Sequence, residues 1–406
     1  MRRAWLLARL AVRNLTRNRR RTAYAVVTIG MGAAGLLLFM GFNAGLMNQY
    51  RDNTVRAHFG HGQVHVRGYW NRGHARPWDV WIGDVEHVLT RLRGLSGVRE
   101  AFPRLSFGAV LVRGDVSVAG QGLGIDMPAE AGFFDRLNLV AGDDGAGRPD
   151  SLVIGRGLAE ALGVKVGDRV EINARDTRGA MTAEGGTVAG IFHTGQSEFD
   201  NRAFRLPLAL AQRLVGTDRV ETIQIALGSF EAWPAFAQSV AAALPSLEAL
   251  PFDALDVVYY KHGVEWLDAQ FRFIRAIILL IVFLGAFNVI AMNVVERTME
   301  IGILRANGDG MGDIAVGQIM EAAALGLMGG AIGVLIGWAA TILLLREGIP
   351  MPAAPGMTRS FRIVIELQRN HALEILALCV STAVAGCLLP LWRAIRLPVA
   401  QALRYA

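Results

Sequence analysis

The stretch AIILLIVFLGAFNVIAMNVV, residues 276–295, carries no charge over its whole length, and it decides the class of the fold. A bilayer-crossing helix needs about 20 predominantly apolar residues, because a rise of ~1.5 Å per residue then spans the ~30 Å hydrocarbon core. Three further uncharged runs, Thr22–Tyr50, Ala322–Leu345 and Ile375–Trp392, meet the same requirement. Composition agrees: 52% of the chain is hydrophobic and 19% charged, with a mean hydropathy of +0.35. A soluble globular chain carries about 25% charged residues. At 406 residues the chain is too long for four spans alone, and a sizeable water-soluble domain is expected beside them.

A net charge of +6 and a pI near 9.8 raise the question of nucleic acid. The placement of the charges answers it. Residues 1–50 hold eight Arg (Arg2, Arg3, Arg9, Arg13, Arg17, Arg19, Arg20, Arg21) and no acid, whereas residues 51–270 hold 22 basic and 27 acidic side chains. The excess sits beside the first apolar run, where it is a topology signal and not a nucleic-acid surface. It places the N-terminus, and after four spans the C-terminus, in the cytoplasm. Arg346, Arg359, Arg362 and Arg369 in the loop before the fourth run oppose this assignment, against only Arg297 and Arg305 in the loop between the second and third. The N-terminal cluster is denser and undiluted by acids, and it decides. The first run far exceeds the ~7–15 residue apolar core of a secretory signal, and no convincing small-x-small cleavage site accompanies it, so it is expected to remain as an anchor.

The expected organisation is an α-helical membrane protein with four transmembrane helices and a large α+β extracytoplasmic domain inserted between helices 1 and 2. Its parts are a basic cytoplasmic N-terminal helix (1–21), the first span (22–50), the outer domain (51–270), the second span (271–295), a cytoplasmic connector (296–313), the third span (314–345), an outer loop (346–370), the fourth span (371–392) and a cytoplasmic tail (393–406). Within the outer domain, Gln63–Arg67 and Val110–Arg113 alternate as strands, and Val85, Val88, Leu89 and Leu92 mark an amphipathic helix over Asp84–Leu92. Ser151–Ile154 leads as a strand into a short helix at Gly157–Leu162. Gly167-Asp168 is a tight turn before the strand Arg169–Ile172. Ala141–Pro149 is a loop without an evident site.

No enzyme emerges from the residues. His58, His61 and His65 lack the Cys or carboxylate partners that would complete a metal shell, and Gly60 and Gly62 interrupt any helix, so they are expected to be surface or strand histidines. Gly120–Gly124 is a lone Gly-rich turn without the flanking elements of a dinucleotide site. A Walker A loop needs Gly-Lys-Ser/Thr, and neither lysine, Lys165 or Lys261, stands in one. Cys379 and Cys387 are about 12 Å apart on a helix and cannot pair. Gly329, Gly333 and Gly337, with Gly326 and Gly330, allow close helix packing within the chain or in a dimer. Glu321 and Glu374 lie near the ends of the third and fourth spans, where a proton relay is a weak idea because charge near an interface is cheap.

The connector Glu296-Arg-Thr-Met-Glu-Ile-Gly-Ile-Leu-Arg-Ala-Asn-Gly-Asp-Gly310 holds the densest signal. Glu296 and Glu300 stand one turn apart, Ile301 and Leu304 form a small apolar edge, and Gly308 can end the helix. Such a short amphipathic helix can dock in a partner's groove or lie on the membrane surface.

These residues resemble the signature of the MacB/FtsX/lipoprotein-releasing superfamily of ABC transporter permeases, Glu-Arg-x-x-Glu-Ile-Gly-Ile-Leu-Arg-Ala-x-Gly. Glu296, Arg297, Glu300, Ile301, Gly302, Ile303, Leu304, Arg305, Ala306 and Gly308 match it. The resemblance extends to Arg13-Asn14-Leu15 and Arg17–Arg21, and to the tail Pro390–Arg404. The outer domain, through Ile154–Ala159, Leu162–Asp168, Val188–Gly195, Glu198–Asp200 and Leu208–Leu214, is most similar to the lipoprotein-releasing (LolC/LolE-type) branch.

The resemblance implies a MacB-like periplasmic core domain at 51–270 and a non-catalytic permease subunit of the bacterial inner membrane. It implies no cofactor of the chain's own: ATP is bound by a separate ABC ATPase present in two copies. A second permease subunit, identical or different, completes the complex. Glu296, Arg297, Glu300, Gly302, Arg305 and Gly308 become the residues that couple to the ATPase. The cargo is lipidated or amphipathic, taken from the outer leaflet and passed to a periplasmic carrier. Phe39, Met40, Phe42, Met47, Phe271 and Phe273 are candidates for an apolar path, with lipid contact or helix packing as their ordinary role. FtsX-like signalling to an extracytoplasmic enzyme and MacB-like efflux are the alternative functions.

Overall fold

A computed structural model describes residues 19–69, 77–135, 138–195, 197–255, 262–352 and 360–402. Most of the basic N-terminal helix expected at 1–21, including Arg13–Leu15, lies outside these residues, as do Lys261, Arg359 and Arg404. Helix α1 (Arg19–Thr54) contains the first uncharged run and passes directly into a wider π-turn at Val55–Phe59. The chain then forms β1 (Gly62–Val66), α2 (Val85–Arg93), β2 (Val98–Arg113), β3 (Val116–Ile125), α3 (Met127–Glu130), β4 (Leu139–Gly142), β5 (Ser151–Gly155) and α4 (Arg156–Leu162). It continues through β6 (Arg169–Arg175), β7 (Met181–Phe192), α5 (Ser197–Asp200), β8 (Ala203–Pro207), α6 (Leu208–Val215), β9 (Thr222–Leu227), α7 (Trp233–Ala243), β10 (Leu247–Pro251) and α8 (Phe252–Leu255). The later helices are α9 (His262–Glu296), α10 (Thr298–Ala306), α11 (Met311–Leu343), α12 (Arg369–Arg396) and α13 (Val399–Ala402).

Four of these, α1, α9, α11 and α12, are long and apolar enough to cross a membrane. Each extends beyond its uncharged run at one end or both, because intrahelical hydrogen bonding continues wherever a helical partner remains. The chain divides into two compact units: of the described residues, the helical one comprises 19–48, 265–350 and 362–402, and the other comprises those within 49–264 together with 351–352 and 360–361. The fold is thus a four-helix membrane protein with a large α+β domain inserted between the first and second spans.

In the helical unit, 56% of the apolar stretch of α1 is buried against 11% of that of α9, so α1 forms the centre of the bundle. Its buried face, Ile29, Ala33, Leu36, Leu37 and Met40, belongs to one core with residues of α9, α11 and α12. The glycine stripe explains how α11 approaches. A Cβ added at Gly333 would lie 2.3 Å from the Gly30 carbonyl oxygen and 2.5 Å from the Ala33 Cβ; Gly329 and Gly337 face Ile29 and Leu37. Gly326 and Gly330 face Cys379 of α12 in the same way. Of the two packing uses expected for this stripe, the one observed is within the chain. Beyond the membrane run, the amide of Glu366 donates to the Gly41 carbonyl at 3.0 Å, and the Asn48 side chain bonds the Glu366 carboxylate.

The inserted domain rests on a ten-stranded sheet in the order β10-β1-β9-β2-β3-β8-β5-β7-β4, with β6 bonded to both β2 and β7. That last pairing closes a ring, β2-β3-β8-β5-β7-β6, in which β3/β8 and β5/β7 are parallel. The 16-residue β2 serves both parts: its first half pairs with β9 and its second half with β6. Inside the ring, Leu105, Leu111, Leu152, Ile154, Ile172 and Phe204 pack against α4 and α6. The β1-β9-β10 wing packs instead on α2 and α7.

Two expectations need correction here. Gly120–Gly124 is not a turn but lies within β3. Gly120, Gly122 and Gly124 alternate onto one face, where added side chains would meet Phe107, Phe204 and Ala211. The second concerns His58, which lies half-buried in the π-turn Val55–Phe59 and not on a strand, edge-on against Phe59 and Phe199; His65 is a strand histidine as expected, enclosed within β1. The motif Val188–Gly195 with Glu198–Asp200 has a local physical basis. Buried Asp200 accepts from the Thr194 amide at 2.9 Å and hydroxyl at 2.8 Å, and lies 2.8 Å from the His193 ring, which ties the end of β7 to α5.

Replacing Gly333 with valine is expected to force α1 and α11 apart and destabilise the protein by about 2 kcal/mol, the usual scale of overpacking. Gly317→Val on the same helix, where nothing lies within 4 Å, should stay within about 0.5 kcal/mol of wild type. Thermal unfolding of the two purified variants in detergent checks both.

Candidate functional site

The connector between the second and third spans is a corner built around one arginine. Helix α9 ends at Glu296; Arg297 leaves the helical region at φ −96°, ψ 7°, and α10 starts at Thr298. The Arg297 guanidinium donates to Glu300 at 2.9 Å and to both Glu321 oxygens at 2.7 and 2.6 Å. One planar fork therefore joins the first turn of α10 to α11, the geometry for which arginine is suited. Burial works against the Arg297 charge, but Glu321 and then Glu300 more than offset it and raise its pKa. Glu300 also stands in the first turn of α10, where a carboxylate is favoured by the helix dipole. Glu321 is thus a counter-ion, which replaces the proton-relay idea. Glu374 has the same arrangement, paired with Arg275 of α9.

Helix α10 is amphipathic with a sharply divided surface. Thr298, Ile301 and Gly302 are buried, and Ile301 joins the membrane core beside Ile290, Val294, Ile314 and Leu391. Met299, Ile303 and Leu304 are 48%, 42% and 41% exposed. The sequence reading paired Ile301 with Leu304 on one apolar edge; the structure separates them. Three positions apart on one helix, they are still neighbours on its surface, but Ile301 lies on the side that packs into the bundle and Leu304 at its exposed margin. Met299 and Ile303 are the site residues that reading missed.

The far end of α10 is fixed twice. Arg305 donates to the Leu397 carbonyl at the C-terminus of α12, where a cation suits the helix dipole. Gly308, with φ +94°, lets the chain turn back: its amide bonds Arg305 at 3.1 Å and the Asp309 amide bonds Leu304 at 3.1 Å. This is a Schellman-type stop, and the positive φ is why a glycine stands there. Of the six expected coupling residues, Arg297, Gly302, Arg305 and Gly308 shape and hold α10, while Glu296 and Glu300 face outward or to its rim.

The candidate apolar path is not assembled as one surface. Phe39 and Phe271 meet edge to face with centroids 6.1 Å apart. Met40 is buried in the bundle core, Phe42 and Met47 are half-buried, and Phe273 is 69% exposed. Among the described residues no group of three or more His, Cys, Asp or Glu side chains could hold a metal ion.

Residues 22–243 match the MacB-like periplasmic core domain, and residues 272–399 match the FtsX-like permease C-terminal domain. The chain is 25% identical over 341 residues to the lipoprotein-releasing system transmembrane protein LolC of Neisseria meningitidis serogroup B, covering 78% of this chain and 77% of that one. It is 40% identical over 76 residues to the macrolide export ATP-binding/permease protein MacB of Brucella abortus, covering 19% of this chain and 12% of that one. The crystal structure of the periplasmic region of MacB from Actinobacillus actinomycetemcomitans aligns with a TM-score of 0.37 at 13% identity, over 52% of this chain and 95% of that one. The chain therefore belongs to the MacB/FtsX family of ABC transporter permeases, with an extracytoplasmic MacB-like core domain and an FtsX-like permease C-terminal domain around four membrane helices.

Proposed function

We propose that the chain is the membrane subunit of an ABC transporter that works by mechanical transmission and extracts lipoproteins, or other lipidic or amphipathic cargo, from the outer leaflet of the inner membrane. A separate ATPase, in two copies, supplies ATP hydrolysis, and a second permease, identical or different, completes the complex. Both termini and α10 lie on the cytoplasmic side in this reading, which the N-terminal arginines support. The observation that carries it is α10. It is held to α11 by the Arg297–Glu321 fork and to α12 through Arg305, yet it presents Met299, Ile303 and Leu304 outward beside Glu300. A rigid helix with an apolar outer face bordered by charge fits a groove on a partner, and its anchors pass a push from that partner to the spans. The LolC relatives, similar over most of the chain, support a lipidated cargo.

The match of residues 272–399 to the FtsX-like permease C-terminal domain favours a second reading, in which the chain signals ATPase state to an extracytoplasmic enzyme without moving cargo. MacB-like efflux has narrower support, since the MacB relative aligns over 76 residues.

In nanodiscs with its co-expressed ATPase, the chain is expected to show ATP turnover that rises when a triacylated lipoprotein is added, with release of that lipoprotein to a soluble carrier. A bound ATPase indifferent to lipoprotein would favour the signalling reading. Ile303→Asp and Glu300→Lys should each lower the yield of co-purified ATPase about tenfold, a loss of ~1.4 kcal/mol in binding. Turnover and export that survive Glu300→Lys unchanged would remove α10 from the coupling path.

Arg297→Met leaves Glu321 half-enclosed without its fork and should cost about 2 kcal/mol of stability in thermal unfolding. Adding Glu321→Leu should return part of that loss, because an apolar pair replaces an ion pair more cheaply than a lone charge does.

A further inference from the structure

The first helix does not stop where its apolar run stops. Within the inserted unit it continues through Thr54 and widens into the π-turn Val55–Phe59, which Gly60 ends at φ +64° with its amide on the Val55 carbonyl. The last carbonyls of a helix lack partners within it and carry partial negative charge. Here two buried arginines take them. Arg205 of β8 donates to the Ala57 carbonyl at 3.2 Å, and Arg104 of β2 donates to the His58 carbonyl.

The two guanidiniums share a single buried carboxylate. Glu130 accepts from Arg104 at 2.6 and 2.9 Å and lies 3.7 Å from Arg205. Arg104 also lies over the Phe134 ring, 4.2 Å from its centroid. Burial, with Glu130 opposing it and Arg104 adding to it, pushes the Arg205 pKa down to about 9, so the side chain stays protonated at neutral pH. Two buried cations and one buried anion leave one positive charge uncompensated, and the electronegative end of the helix faces it. Around this end, Val55 and Tyr50 pack among Phe133, Phe230 and Phe252, and Arg56 pairs with Asp135 at 2.8 Å.

An apolar collar alone would let a helix turn or slide. A helix end that neutralises a buried charge resists leaving, because its departure would strand two like charges around one carboxylate. A π-turn, one residue wider than an α-turn, is rare and is frequently found at functional sites. We infer that Arg104, Arg205 and Glu130 form a socket that grips the end of the first helix and delivers its displacement to the extracytoplasmic domain. They are positioning residues: they meet neither ATP nor cargo. The inference rests on the mechanical-transmission reading.

The test uses the full chain with its partner ATPase in nanodiscs, with hydrogen exchange of the outer domain followed in the apo and ATP–vanadate states. Wild type is expected to change exchange over residues 98–135 and 203–207 when nucleotide is trapped. Arg205→Met leaves Arg104 and Glu130 as a neutral pair. It is expected to keep ATP turnover within twofold of wild type while the nucleotide-dependent change over those residues falls at least fivefold. Arg205→Lys should restore most of the change, which a general loss of packing would not predict. Should Arg205→Met fail to accumulate, Arg205→Gln, which keeps a donor for Ala57 without a charge, carries the same expectation. A variant whose outer domain responds to nucleotide as wild type does overturns the socket. A wild-type complex that hydrolyses ATP with no exchange change in the outer domain overturns the transmission reading, and the socket with it.

Discussion

Lipid offers no hydrogen bonds to a backbone, so a chain that crosses it does so as an uninterrupted helix, and in this protein the first such helix carries the rest. It is the most enclosed of the four spans, and the close approach of α11 is possible only because Gly333 and its neighbours in the stripe lack side chains where the backbone of α1 passes. Further along, the Glu366 amide and the Asn48–Glu366 bond hold α1 again. Its continuation in the inserted unit ends on buried arginines. Within the helical unit, α1 is held both by close packing against α11 and by the polar contacts with Glu366.

Charge in this molecule marks the places where helices begin and end. Arg297 and Glu321 fix the corner between the second and third spans, Arg275 and Glu374 join the second to the fourth, and Arg305 caps the end of the fourth. Each pair joins residues far apart in sequence and places an arginine fork on a carboxylate or a carbonyl. Such pairs add little net stability over apolar packing, but each specifies one arrangement, since a lone partner left enclosed is costly.

The inserted domain meets a different constraint. A ten-stranded sheet needs its edges managed, and here part of it closes on itself through β6, with the long β2 shared between the ring and the open wing. The glycines of β3 leave volume for Phe107 and Phe204 inside the ring, and Asp200 ties a loop to the strand ends.

The four spans, the inserted α+β domain and the location of the connector were all legible in the sequence. Uncharged length, alternation and helix-stop glycines are local signals, and local physics suffices to produce them. Gly308 ends α10 as its position implied, and Gly167-Asp168 turns before β6 as expected. What tertiary structure alone decided is who meets whom. The burial of Ile301 and exposure of Leu304 depend on which side of α10 packs on the bundle. The partners of Glu321 and Glu374 depend on which helices become neighbours. His65 is buried because β9 and β10, distant in sequence, flank its strand. The Arg104–Glu130–Arg205 cluster combines residues from β2, α3 and β8, and no spacing rule brings such residues together. Sequence by itself determined which segments cross the membrane and which fold outside it, because that choice depends on the transfer energy of each segment. The contacts by which those parts hold one another arise only when the backbone topology places distant charges and small residues within a few ångströms.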